Sequence, residues 1–144
     1  MRKNEYMKVH TTNYFNTLIE VAEDCPVEIA ETPKSIPGKP SVAALQYEIL
    51  TSHPYEFTSD EVLFQVYANR NDLLQSDYDS CRTAFFSKGQ PCFRTSPLAK
   101  RYGFGVHSDS NGRVAIYSRE SATYEALSND TEIVKVKAMR SSKK

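Results

Sequence analysis

Cationic side chains beside a short predicted helix are the first candidates for chemistry in this sequence. Lys100 and Arg101, with Arg94 upstream and Tyr102 following, come directly after a predicted helix start at Ser96. Backbone N–H groups at a helix start bind anions, and lysine and arginine add charge-assisted hydrogen bonds. These residues would suit a clamp for a phosphate or a carboxylate. The alternative, which the pattern favours, is a solvated helix face.

His107 is the second candidate. It is predicted to lie in the middle of a strand, opposite Ala115 and beside Gly105, with Tyr117 and Arg113 nearby. Small neighbours would leave the imidazole room to act on a ligand near neutral pH. The same small neighbours would also let a helix approach the sheet closely, in which case His107 is structural, and this reading carries more weight.

The three cysteines and three histidines are spread along the chain without metal-ligand spacing. They are Cys25, Cys81, Cys92, His10, His53 and His107. The chain contains no Cys-x-x-Cys pair and no dinucleotide-binding glycine motif, so neither a metal nor a cofactor is expected. The odd number of cysteines predicts free thiols.

The candidate residues lie on a predicted helix, a stop and a β-hairpin. Ser96 is suited to cap the helix, and Gly103 to end it in the left-handed conformation. After Gly103 the apolar residues alternate, which predicts two strands. Pairing Val106 with Ile116 keeps the apolar side chains on one face and requires a three-residue loop, Ser110-Asn111-Gly112.

Hydrophobic periodicity places the remaining elements. Strands are predicted at 14–22 and 133–138, and helices at 41–51, 58–69, from about 76, and at 120–127. Val42 and Tyr67 are expected to face the core. The polar run 10–13 is expected either to line a pocket or to cap the point where the chain enters the sheet. The proline-rich segment 24–40 is expected to be a loop.

These elements predict an α+β fold: a mainly antiparallel sheet of about four strands with helices packed on one face. The length predicts a single domain. Its expected bounds are 9–139, between a flexible N-terminus, residues 1–8, and a disordered tail, residues 140–144.

The composition excludes several other classes of protein. With 40% hydrophobic and 25% charged residues, it is typical of a soluble globular domain. No apolar run approaches the roughly 18 residues of a spanning helix, and no apolar segment follows the basic start as in a signal peptide. We therefore expect a cytoplasmic protein with no membrane partner.

Charges are balanced overall but not along the chain. The sequence holds 18 Lys and Arg against 18 Asp and Glu. Between residues 82 and 119, however, Asp109 is the single acidic residue against seven basic ones. The basic set is Arg82, Lys88, Arg94, Lys100, Arg101, Arg113 and Arg119. This asymmetry predicts weak binding of an anionic ligand or nucleic acid; the alternative is a dipolar surface whose halves pack together.

Three segments carry a resemblance to known proteins. They run from His10-Thr11-Thr12-Asn13-Tyr14 to Asp24-Cys25-Pro26, from Tyr55 to Asn71, and from Ser96-Pro97-Leu98-Ala99-Lys100 to Tyr117. Across most of residues 8–128 they resemble a family of small bacterial proteins of unknown function, which implies a bacterial, cytosolic, single-domain protein without an assigned activity. More distantly, the hairpin with its flanking helices resembles small α+β domains of the YjbR-like type, some of which are suspected of binding DNA.

Three hypotheses about function follow. The first is a small cytosolic domain that binds an anionic ligand or nucleic acid through the basic region 82–119, with Arg94, Ser96, Lys100 and Arg101 among its candidate residues. The second is a small-molecule-binding protein or enzyme with a pocket between the sheet, the 24–40 loop and His107. The third is a homo-oligomeric interaction protein. The sequence leaves the oligomeric state open.

Overall fold

A four-stranded sheet forms the centre of the structure, a computed structural model that describes residues 9–141. The strands are β1 (Thr17–Glu20), β2 (Phe104–Ser108), β3 (Val114–Ser118) and β4 (Val134–Lys137), in the order β3-β2-β1-β4. β2 runs antiparallel to both β1 and β3, whereas β4 runs parallel to β1. The predicted α+β class with a mainly antiparallel sheet is confirmed. The predicted flexible segment 1–8 and residues 142–144 of the predicted tail lie outside the described residues.

Within the described part of the chain, five α-helices surround the sheet. They are α1 (Val42–Ser52), α2 (Ser59–Arg70), α3 (Tyr78–Phe86), α4 (Pro97–Lys100) and α5 (Ala122–Asn129), with 3₁₀ turns at Gln75–Asp77 and Phe93–Thr95. Residues 24–40 form the predicted loop, with one isolated bridge between Ile36 and Lys39. Among the helices of residues 9–141, none is both long and apolar enough to cross a membrane.

The main core lies between one face of the sheet and the helices α1, α2 and α4. Ile19, Val106 and Val114 from the sheet meet Leu50 and Leu98 from the helices, and all five are almost completely buried. Helix α5 lies on the opposite face, where the ring of Tyr124 covers Gly105. The prediction that helices pack on one face of the sheet therefore holds for α1, α2 and α4. Helix α5 packs on the other face and adds a second layer that was not predicted.

The predicted helix, stop and hairpin are confirmed in detail. The Ser96 side chain caps α4, and Gly103 follows with φ +83°. Val106 pairs with Ile116 and His107 with Ala115, and Gly112 has φ +79° in the three-residue loop. Local sequence rules are sufficient for this segment because each signal acts within a few residues of the next.

Tertiary packing overrides the sequence pattern elsewhere. β1 is shorter than the predicted strand because Asn16 adopts a left-handed backbone, φ +50°, that a strand cannot contain. Val42 and Tyr67, predicted to face the core, are 37% and 38% exposed, whereas Gln46 and Phe64 are buried. In α1, the hydrogen bond between Gln46 and Ser96 allows Gln46 to be buried, so the buried face is rotated away from Val42. Helix α2 is packed on two sides, because Phe64 contacts α3 in a second core cluster.

The polar run before β1 holds the start of α2. Asp60 accepts hydrogen bonds from the hydroxyls of Thr11 and Thr12 and from the backbone of Thr12, all at 2.7 Å. The side chain of Asn13 in turn accepts from the Asp60 backbone N–H at 2.9 Å. Of the two expectations for this run, the hydrogen bonds favour capping.

Candidate functional site

The structure divides the predicted site residues between the two faces of the sheet. His107 and Tyr117 lie on the face that α5 covers, since they alternate with the core residues Val106 and Ile116. Ser96, Lys100, Arg101 and Tyr102 belong to α4 and the turn after it, on the other face. The histidine and the cationic residues therefore cannot form one site.

A tyrosine that the sequence analysis did not single out organises the surroundings of His107. The Tyr55 hydroxyl lies 2.7 Å from His107 Nδ1 and 2.9 Å from the Tyr117 hydroxyl. Tyr55 has a left-handed backbone, φ +61°, and its N–H donates to the carbonyl of Val114 at the edge of β3. Burial, followed by the bond to Tyr117, raises the pKa of the Tyr55 phenol, so it stays protonated. Tyr55 holds both His107 and Tyr117 by hydrogen bonds, so we interpret these three side chains as a chiefly structural cluster.

The cluster predicts a pH dependence of stability. Burial lowers the pKa of His107, and the nearby Asp109 and Asp130 offset only part of that effect. In the unfolded chain the imidazole takes up a proton near pH 6.5, whereas in the folded protein it does so at a lower pH. The unfolded state then binds more protons, so the free energy of unfolding decreases as the pH falls through and below 6.5.

Urea denaturation at several pH values between about 5 and 8, the range over which histidines titrate, measures this effect. We expect His107→Gln to lose less stability than the wild type over that interval, since His10 and His53 are common to both. Parallel curves for the two proteins would contradict a buried neutral His107.

The predicted basic residues do not form one surface. The Arg82 guanidinium lies over the rings of Phe64 and Phe86, at 5.9 and 5.3 Å from their centroids. Arg119 donates to the carbonyl of Val27, at 2.7 Å. Arg113 is exposed, and its backbone pairs with that of Thr58 at the end of the hairpin remote from α4. These arginines support packing at separate places.

Lys100 and Arg101 are brought together. With Thr95, Pro97 and Ser141 they line a shallow depression of about 310 Å³. Arg94 does not line the depression, and it donates to the carbonyl of Lys137 at 2.8 Å. Tyr102 instead packs against the main core. The predicted anion clamp is thus reduced to two side chains, without Tyr102.

Ser96 is not part of that depression. It is 5% exposed and faces a separate cleft between α1, α2 and residues 90–97. This cleft has a volume of about 300 Å³. Its apolar wall includes Val42, Leu63, Val66, Tyr67, Phe85 and Pro97. The exposed faces of Val42 and Tyr67 are explained by this cleft, which they line.

One polar group in the cleft has an unused hydrogen-bond donor. The Ser96 hydroxyl accepts from the Leu98 N–H at 3.1 Å and donates its proton to Gln46 Oε1 at 2.7 Å. This fixes the orientation of the Gln46 amide, which belongs to a side chain 3% exposed. Its NH₂ group has no hydrogen-bond partner among the described residues. Ser128 Oγ is the one buried side-chain polar atom without a hydrogen-bond partner among the described residues, so the NH₂ group of Gln46 is not sealed off from the cleft. It can therefore donate to an acceptor on a bound molecule.

Cys92 also lines the cleft, and its Sγ lies 3.3 Å from the Tyr14 hydroxyl. Burial and the adjacent Cys92 raise the pKa of Tyr14 to about 12, so the phenol remains a hydrogen-bond donor. All three cysteines are unpaired. Within residues 9–141, no group of three or more His, Cys, Asp or Glu side chains is arranged to hold a metal ion.

The fold and the cleft define a small α+β domain with an open mixed sheet and a side pocket between two helices. Residues 9–144 match the family described as a family of unknown function, DUF6157, and the chain belongs to that family. Comparison with curated proteins and with solved structures found no match. Membership in an uncharacterised family agrees with the resemblance in the sequence. The bacterial origin and the likeness to YjbR-like domains stay predictions.

Proposed function

We propose that this protein binds a small molecule in the cleft between α1, α2 and residues 90–97. The observation that carries the proposal is the Gln46 amide on the wall of the cleft. Its oxygen is held by the Ser96 hydroxyl, and its NH₂ group forms no hydrogen bond among the described residues. A largely apolar concave wall with a few oriented polar groups is the usual form of a ligand site. The ligand would place a hydrogen-bond acceptor at Gln46 and an apolar body against Leu63 and Val66.

The proposal keeps the second hypothesis from the sequence and moves its site. The pocket was expected beside His107, but the cleft lies across the sheet from that residue. Its volume, about 300 Å³, is at the lower end for ligand sites, which favours a compact molecule. The cytoplasmic location predicted from the sequence is part of this proposal.

A neutral fluorescent ketone tests the proposal. 6-Propionyl-2-dimethylaminonaphthalene has an apolar ring system, a carbonyl acceptor and an emission that shifts to the blue in apolar surroundings. We expect saturable binding to one site with a blue shift. Gln46→Leu should weaken it about two- to tenfold, the loss of one hydrogen bond, and Val42→Phe should weaken it further by filling the cleft.

Two matched variants serve as controls. Gln75→Leu removes an exposed glutamine, and Ile29→Phe enlarges an apolar side chain that is 66% exposed, both outside the cleft. We expect both to bind the probe as the wild type does. Absence of saturable binding, or equal affinity in the cleft and control variants, would overturn the proposal.

A further inference from the structure

The cleft and the basic depression share a wall. Thr95 and Pro97 line both of them, on either side of the turn that begins α4. Ser96, between these two residues, faces Gln46 in the cleft, whereas Lys100 and Arg101 face the depression. A molecule seated in the cleft therefore lies next to Lys100 and Arg101, in addition to Arg70, which lines the cleft itself.

Within residues 9–141, Lys100 and Arg101 are free to bind an external anion. Among the described residues, neither Lys100 nor Arg101 forms an ion pair, whereas the neighbouring Arg140 lies 3.4 Å from Glu23. Arg101 is exposed and Lys100 is half-buried, so both stay accessible. An arginine presents paired donors that match a carboxylate or a phosphate, and a lysine adds a point charge.

From this juxtaposition we propose that the ligand of the cleft carries an anionic group, a carboxylate or a phosphate, which Lys100 and Arg101 bind across the Thr95–Pro97 wall. The ligand class is then a compact apolar body joined to one anionic group. The inference rests on the proposed function, because the apolar body occupies the same cleft. Nucleic acid is a different partner, since a phosphate backbone needs no apolar cleft.

Two dyes with one ring system test this inference. N-Phenyl-1-naphthylamine is neutral, and 1-anilinonaphthalene-8-sulfonate adds a sulfonate that stands in for the carboxylate or phosphate. We expect the sulfonate to bind roughly five- to tenfold more tightly at low salt, as two partly exposed ion pairs allow. The double variant Lys100→Gln/Arg101→Gln should remove this preference and leave the affinity for the neutral dye unchanged.

The control is the double variant Lys34→Gln/Lys39→Gln, which makes the same change in net charge on the 24–40 loop. It should keep the preference for the sulfonate. Equal affinity of the two dyes for the wild type, or an equal loss in both double variants, would overturn the inference but not the proposed function. Failure of the neutral dye to bind at all would overturn the proposed function itself.

Competition experiments identify the anionic group and exclude a polyanion. Decanoate or decyl phosphate should displace the sulfonate dye at a lower concentration than decanol does, and the tighter of the two anionic competitors distinguishes a carboxylate from a phosphate. A DNA oligonucleotide titrated at about 50 mM salt, where screening is weak, should not bind through these residues. Salt-dependent DNA binding that the Lys100→Gln/Arg101→Gln variant abolishes would overturn the inference in favour of nucleic acid.

Discussion

Ser96→Ala is expected to lower the free energy of unfolding by about 2–4 kcal/mol, because it removes a helix cap and also leaves a buried acceptor unsatisfied. The Ser96 hydroxyl holds the Leu98 N–H at 3.1 Å and the Gln46 Oε1 at 2.7 Å. Both partners are buried, so water cannot replace the lost bonds. Urea denaturation measures the change.

Ser41→Ala is the matched control for this prediction. Ser41 caps α1 by accepting from the Ala44 N–H, also at 3.1 Å, and donates to the carbonyl of Lys34 at an exposed site. Its loss should cost about 1 kcal/mol, the usual value for a cap. In the double variant Ser96→Ala/Gln46→Leu, removal of both partners should restore part of the stability. Equal costs for Ser96→Ala and Ser41→Ala would contradict the role of the buried bond.

Gly105→Ala is expected to destabilise the protein by about 1–3 kcal/mol through overpacking. A Cβ at this position would lie 2.3 Å from Cε2 and 2.6 Å from Cδ2 of the Tyr124 ring. Tyr124 cannot move away freely, because its hydroxyl accepts from the Val21 N–H at 3.0 Å. The expected result is therefore a displaced or loosened α5, measured as a lower unfolding midpoint.

Gly89→Ala is the control, since a Cβ there would make only an ordinary contact, 3.8 Å from His10 Nδ1. It should change stability little. In a Tyr124→Leu background the cost of Gly105→Ala should fall, because the clashing ring is gone. An unchanged cost in that background would show that α5 does not lie on Gly105.

The hairpin and the helix caps could be predicted because their determinants are local. The parity of Val106 and Ile116 and the left-handed Gly112 define the register within about a dozen residues. The capping box of Thr58 and Glu61 at the start of α2 is another determinant that acts within three residues. In these segments propensity and tertiary packing favour the same structure.

The face of each helix was harder to predict, because more than one surface packs against it. Val42 is apolar and falls on the stripe of Leu45 and Ile49, a pattern that predicts a core residue, yet Val42 lines the cleft. The buried Gln46 is polar, and only its bond to Ser96, 50 residues away, makes burial favourable. A glutamine amid apolar helix residues was the one signal in the sequence that could have indicated the cleft.

The candidate sites show the same division between local and distant contacts. Lys100 and Arg101 are adjacent in sequence, and the structure keeps them in one depression. The contact between Tyr55 and His107 joins residues 52 positions apart through a left-handed backbone at Tyr55. Neither the contact nor that backbone has a signal in the sequence, so the sequence could not show that His107 is held by Tyr55, which in turn contacts Tyr117.

Alkylation of Cys92 tests most directly whether the cleft binds a small molecule. Cys92 lines the cleft, whereas Cys25 lies in the 24–40 loop, away from the cleft lining. The rate at which iodoacetamide modifies each thiol, followed by peptide mass spectrometry, is compared with and without a saturating amount of the neutral naphthalene ketone. We predict that the ketone slows modification of Cys92 and leaves Cys25 unchanged. Unchanged rates at both cysteines, or equal slowing at both, would contradict binding in the cleft.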